Sequence, residues 1–462
     1  MHAEYPCGRI SRRNALYRFG LLGSAIGSIW AQDSKVAPGA ADPQKPPQKA
    51  KSVILLFMCG GVSHIDTFDP KDNKFAGKIM DAIGFGDNLA PRKRPVIPCR
   101  RTFKNYGESG IPVSDWYPNV GGVIDDIAVV RSFWSHETNH FPAVIETTTA
   151  HRGRQFDWPT MGSWISYALG SANQNLPVFV NMGRPSSAVQ LSGGFMGATF
   201  AATPFQTGET PIRDLNPPAD LSVAERNRQM EALAKMNQEF REEYALNSDI
   251  SARLKAYELA ARMQLSAPPL VDFANEPKSV LDLYGIGEKE TTDFGRQLLL
   301  ARRMVEKGVR FIQICHAGGG NGSWDAHVDM ATHEPLCRAT DKPIAGLIKD
   351  LKSRGMLDST LIVWTTEFGR TPWSQHDDKG RDHNAMGYTS WFAGGGIKGG
   401  TVHGATDEVG YKAVENRHYC SDIHATIVNQ MGLDYKKMDF QYNGRTFHLI
   451  EEGDGPIRQI IA

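Results

Sequence analysis

Ser52-Val-Ile-Leu-Leu-Phe-Met58 runs straight into Cys59-Gly60-Gly61. An apolar run with no charge and no alternation describes a strand buried on both faces, and the glycines open it into a loop. Such strands belong to mainly parallel sheets covered by helices. Residues 127–133, 176–181, 309–315 and 360–365 repeat the pattern, and 390–393 reads as a short strand. Residues 159–169, 294–307, 333–354 and 422–431 read as helices between them. This alternation predicts βαβ units, hence an α/β domain with a mainly parallel central sheet and helices on both faces. Residues 221–290 open on a polar stretch rich in Ala, Glu, Arg and Met at helical spacing, which predicts a helical insertion.

Composition limits the function classes. The 462 residues include 51 Lys plus Arg and 51 Asp plus Glu, a formal net charge of zero. The whole protein therefore exerts no net attraction on nucleic acid or anionic lipid. Apolar residues at 41% and charged residues at 22% are ordinary globular usage. The six cysteines include Cys7 in the leader, leaving an odd number in the body and no CxxC, so neither a disulfide scaffold nor a cysteine-based zinc site is expected. No GxxxxGK[ST] loop and no GxSxG elbow is present.

The amino terminus reads as a processing segment. Ser11-Arg12-Arg13-Asn14-Ala15-Leu16 precedes a short apolar stretch from Phe19 to Trp30, with Ala31 as the cleavage residue. The arginine pair resembles a twin-arginine export signal, with Ala15 where Phe is usual. The expected organisation is an export signal over 1–33, a flexible tether rich in Pro, Ala and Gln over 34–50, and one domain over 51–462. The mature chain is expected outside the inner membrane, periplasmic or otherwise exported, with no stable membrane span.

In parallel sheets, sites form beyond the carboxyl ends of the strands. Four segments there carry metal-type residues: Gly60-Gly61-Val62-Ser63-His64-Ile65-Asp66, Trp324-Asp325-Ala326-His327, Thr365-Thr366-Glu367-Phe368-Gly369-Arg370, and Gly380-Arg381-Asp382-His383. Carboxylates mixed with neutral imidazoles suit a hard or borderline divalent cation such as Zn, Mn or Ca. Each segment alone also fits a turn or a local ion pair. Their joint occurrence predicts a metal site of one or two ions.

The same segments carry a resemblance. With GGVSHIDTFDPK from Gly60, RSFWSHETNHFPA from Arg131, TMGSWISYALG from Thr160, SWDAHVD from Ser323, TTEFGRTP from Thr365, GRDHN from Gly380 and SDIHATIVNQMGLD from Ser421, the chain resembles the family called domain of unknown function 1501 over nearly all of 51–462. That family looks like a distant branch of the alkaline phosphatase and sulfatase superfamily. The resemblance implies an alkaline-phosphatase-like three-layer sandwich and a metal-dependent hydrolase of phosphate or sulfate esters, of small molecules or polysaccharides. It implies metal ligands among Asp66, Asp325, His327, Glu367, Asp382 and His383. Phe368 stands where the superfamily usually has His. His140 falls where the superfamily carries its nucleophile, so it is expected to attack, act as a general base, or serve as a further ligand. Arg370 and Arg381 are expected to grip a tetrahedral oxyanion, or else to form ion pairs. The alternative is a non-catalytic binding protein on the same scaffold.

Overall fold

In the computed structural model the described residues are 46–82, 92–153, 155–206, 267–375 and 379–462, with scattered residues between 212 and 263. The expected export segment and residues 34–45 of the tether lie outside them. The chain enters the domain at Lys49 and Ala50, whose N–H groups both donate to the Gln430 carbonyl.

The strands that build the central sheet are β1 (Ser52–Met58), β2 (Ile127–Trp134), β3 (Phe179–Met182), β4 (Thr203–Phe205), β5 (Phe311–His316), β6 (Thr360–Thr365), β7 (Tyr388–Ala393), β8 (Thr401–His403) and β9 (His418–Tyr419). Their order across the sheet is β8-β2-β7-β6-β1-β5-β3-β4, with β9 also on β2. Among the described residues β7 alone runs antiparallel, to β6 and to β2. The mixed α/β fold with a mainly parallel sheet is as the apolar runs predict. The third strand starts at Phe179, beyond Pro177, which has no N–H for a ladder.

The main helices are α1 (His140–Thr149), α2 (Met161–Leu169), α3 (Thr292–Glu306), α4 (His333–Ser353) and α5 (Ser421–Gln430). Strand β1 explains why its sequence lacks alternation. Ile54, Leu56 and Met58 pack in one core with Leu298 of α3 and Ile344, Leu347 and Ile348 of α4. Val53 and Leu55 pack in the other with Trp164 and Ile165 of α2 and Ile423 and Ile427 of α5. Both faces are thus covered, and each such buried aliphatic side chain contributes roughly 2 kcal/mol. Of the expected insertion, the described residues 235–238 and 256–263 are helical. The described cysteines, 59, 99, 315, 337 and 420, are free thiols and buried. No helix of the described residues is long and apolar enough to cross a membrane.

The core also holds imidazoles that must stay neutral. Burial pushes His333 down to about 3, His424 to about 4 and His151 to about 4, from an ordinary 6.5. The Ser63 N–H donates to His333 Nε2, and His424 Nε2 donates to the Thr147 carbonyl. Folded pKa values below the unfolded value mean that stability is full above pH 6.5 and falls as the unfolded chain takes up protons that the fold refuses. Between pH 7 and pH 5 each of the three should cost roughly 2 kcal/mol. His140, whose pKa is raised, acts in the opposite direction and offsets part of this. Denaturant midpoints of the metal-free protein should therefore drop clearly between those two pH values; a flat profile would contradict neutral burial.

Candidate metal centre

The loops that leave β1, β2, β5 and β6 meet at the carboxyl ends of the strands. A two-residue ribbon pairs Gly369–Arg370 with His383–Asn384. The Arg381 N–H donates to the Ala326 carbonyl, which lays the His327 segment beside the His383 segment. Gly380 is glycine because a Cβ there would lie 1.9 Å from the His327 carbonyl oxygen. Helix α1 begins at His140 and is capped after Thr149 by Ala150, which is in the left-handed conformation.

His140, Asp325, His327 and His383 each present one ligand atom, and all four lie within 4.8 Å of one another. The Asp325 carboxylate is the hub. Oδ1 lies 2.9 Å from His327 Nε2 and 3.2 Å from His383 Nε2, and Oδ2 lies 3.3 Å from His140 Nε2. His327 Nε2 and His383 Nε2 are 2.9 Å apart.

The tautomers follow from what stands behind two of the rings. His140 Nδ1 faces Glu367 Oε1 at 2.9 Å, and His383 Nδ1 faces the Thr138 carbonyl at 2.6 Å. Both partners only accept, so both Nδ1 atoms carry hydrogen and donate. In a neutral ring each Nε2 then directs a lone pair into the cluster. Lone pairs aimed at a carboxylate and at one another repel unless a proton or cation lies between them. His140 Nε2 is buried without a hydrogen-bond partner. The donor set therefore fits a divalent cation of the zinc or manganese type, held by three imidazoles and one carboxylate.

The electrostatics agree. Burial works against charge on His140, but Asp325 and Glu367 outweigh it and raise its pKa. Burial also opposes the charged form of Asp325, yet the three imidazoles and Arg370 hold its pKa far below the usual carboxylate range. Burial pushes His383 down to about 3.

Three of the six expected ligands, Asp325, His327 and His383, are brought together, joined by His140, expected at the reacting centre. Glu367 stands behind His140. Its Oε1 accepts from His140 Nδ1 and, at 2.8 Å, from the Gly60 N–H, and its Oε2 accepts from Thr366. Asp382 Oδ1 is 3.9 Å from His327 Nδ1 and accepts from the His383 N–H. Asp66 lies outside the cluster, paired with Arg381 Nε at 2.7 Å and with the Ser63 hydroxyl. Arg370 and Arg381 are buried, and the N–H groups expected to grip an oxyanion are donated inward to protein oxygens. Sequence reasoning missed the Thr138 carbonyl, because only the fold brings it to His383.

Replacing Glu367 by Gln keeps the shape but weakens the acceptor that orients His140. Metal affinity should fall about 10- to 100-fold with the fold intact, read by chelator competition; unchanged affinity would contradict the orienting role.

Three imidazoles and a carboxylate gathered at the carboxyl ends of the strands define a candidate metalloprotein centre. The chain belongs to the family described as "Protein of unknown function (DUF1501)", whose sequence model matches residues 50–461. A comparison with curated proteins found no match. Among solved structures it is similar to the PsFucS1 sulfatase from Pseudoalteromonas sp., at 12% identity and a TM-score of 0.35 over 84% of this chain and 68% of that one. It is similar to the lipoteichoic acid synthase LtaP from Listeria monocytogenes, at 8% identity and 0.36 over 89% and 78%. It is also similar to the alkaline phosphatase from the Antarctic bacterium TAB5, at 11% identity and 0.34 over 84% and 99%. Likenesses of this size say nothing of this chain's chemistry.

Proposed function

We propose that this protein is an exported, divalent-metal-dependent hydrolase of phosphate or sulfate esters, including those of polysaccharides. The observation that carries the reading is the convergence of one ligand atom each from His140, Asp325, His327 and His383 within 4.8 Å, with the Nε2 lone pairs of His140 and His383 turned into the cluster. A divalent cation held there supplies Lewis-acid activation of water and of an ester oxygen. The residues around it do the rest. Glu367 and the Thr138 carbonyl fix the two rings, and Arg370 fixes Asp325. Phe368 packs against His140 and His383, with ring centroids 4.9 Å and 4.5 Å away, and keeps water from that side. The His327 side chain is 22% exposed against 8% for His140, which makes the His327 side the more open one. Position 140 offers no hydroxyl or thiol, so water is the nucleophile this reading calls for. Export rests on the arginine pair and apolar stretch of residues 11–31.

One observation favours a second reading, a non-catalytic metal-binding protein of the cell envelope. Four protein donors can close a tetrahedral shell by themselves, as structural sites do. Turnover of aryl phosphate, phosphodiester and sulfate esters by the metal-loaded protein, compared with a His383→Ala, Asp325→Ala double variant, separates the two. Activity lost in the variant supports the hydrolase. Stoichiometric metal without turnover on any ester supports the binding protein.

A further inference from the structure

The sequence leaves open one ion or two, and the surroundings of Arg370 decide between them. Arg370 is fully buried. Its Nε donates to the Gly61 carbonyl at 2.8 Å and its Nη1 to the Arg381 carbonyl at 3.2 Å. Its Nη2 donates to the Gly60 carbonyl, to the Trp324 carbonyl at 3.2 Å and to Asp325 Oδ1 at 2.8 Å. Four backbone carbonyls and a carboxylate, oxygens of the kind a hard divalent cation takes, line this buried space. Here they surround a guanidinium.

We infer that Arg370 is a built-in cation standing where a second metal ion would sit, so that the centre takes one ion per chain. The inference rests on the metal-centre reading above and deepens it. The remaining carboxylates support it, because Glu367 and Asp66 are already engaged through both oxygens or by a buried guanidinium, and Asp382 through one oxygen. Glu367 accepts from His140, Gly60 and Thr366, Asp66 from Arg381 and Ser63, and Asp382 from the His383 N–H. Phe368 closes the same side, since a Cβ on Gly61 would lie 2.6 Å from its ring and 3.2 Å from Arg370 Nη2. A second cation sharing Asp325 would meet a fixed positive charge at hydrogen-bond range of that carboxylate, in a dry environment where such repulsion is weakly screened. Arg370 is on this view a positioning residue. It holds Asp325 Oδ1 in place.

The test is the metal count by native mass spectrometry, after stripping the full-length protein, loading it with excess Mn or Zn and removing what is free. One ion per chain is expected. Two ions would overturn the inference while leaving the metal centre standing; none would overturn both. Arg370→Ala frees the carbonyl ring, and with excess Mn that variant is expected to take up two ions. A count that stays at one in folded Arg370→Ala would reduce Arg370 to a packing residue and overturn the inference. If that variant does not fold, the wild-type count decides the matter alone.

Discussion

Asp325→Ala is expected to abolish metal retention and to lower the stability of the metal-free protein by about 3 kcal/mol. One carboxylate touches His140, His327, His383 and Arg370. Its removal takes the only anionic ligand from the centre. A lost orienting partner behind a ligand costs about 10- to 100-fold in affinity, so loss of the ligand itself should exceed about 100-fold. The stability loss has a separate cause. Arg370 is buried, and Asp325 is its carboxylate partner at 2.8 Å. Breaking a buried pair from one side costs about 3–5 kcal/mol, and the 15% exposure of Asp325 puts the expectation at the low end. Asp325→Asn, which keeps an oxygen toward Arg370, should recover most of the stability and little of the metal binding. Equal losses in both variants, or metal binding that survives Asp325→Ala, would contradict the hub role. Chelator competition and urea denaturation read the two effects independently.

Gly60→Ala is expected to be the most disruptive single-methyl change in the loop after β1. Gly60 has φ +123°, and a Cβ there would lie 2.7 Å from the Asp325 nitrogen and 2.8 Å from the Trp324 nitrogen. The methyl meets backbone, which cannot rotate away. Backbone strain of about 1–3 kcal/mol and overpacking of about 1–3 kcal/mol add to roughly 4 kcal/mol. The damage is also functional, because the residue pushed aside is Asp325 and the Gly60 N–H orients Glu367. Gly110 supplies the control. It too has positive φ, +66°, but nothing lies within 4 Å of a Cβ built there. Gly110→Ala should cost about 1 kcal/mol and leave metal binding unchanged. Thermal melts of both variants with and without metal test the contrast, and a mild Gly60→Ala would contradict the packing described here.

Much of the fold was legible because its central strands are buried on both faces. A strand such as β1, covered by α3 and α4 on one side and α2 and α5 on the other, can only be written as an unbroken apolar run. The short outer strands β8 and β9, of three and two residues, are too brief to leave a pattern. The residue types of the site were legible too, since imidazoles and carboxylates gather after strand ends. Their roles were not. Whether Glu367 binds metal or orients a ring depends on His140, 227 positions away, and whether Asp66 is free depends on Arg381, 315 positions away. A carboxylate advertises its charge in sequence but not its partner. Arg370 shows the same limit: a guanidinium beside a carboxylate segment suggested an oxyanion grip, and only the fold shows four backbone carbonyls consuming its N–H groups.

The central claim is that three imidazoles and the Asp325 carboxylate hold one divalent cation. X-ray absorption at the zinc edge of the zinc-loaded full-length protein tests it most directly. The account predicts three imidazole nitrogens at about 2.0–2.1 Å and carboxylate oxygen at about 2.0–2.2 Å, with the imidazole signal reduced in His383→Ala. Zinc bound without imidazole scattering, or a spectrum unchanged in that variant, would contradict it.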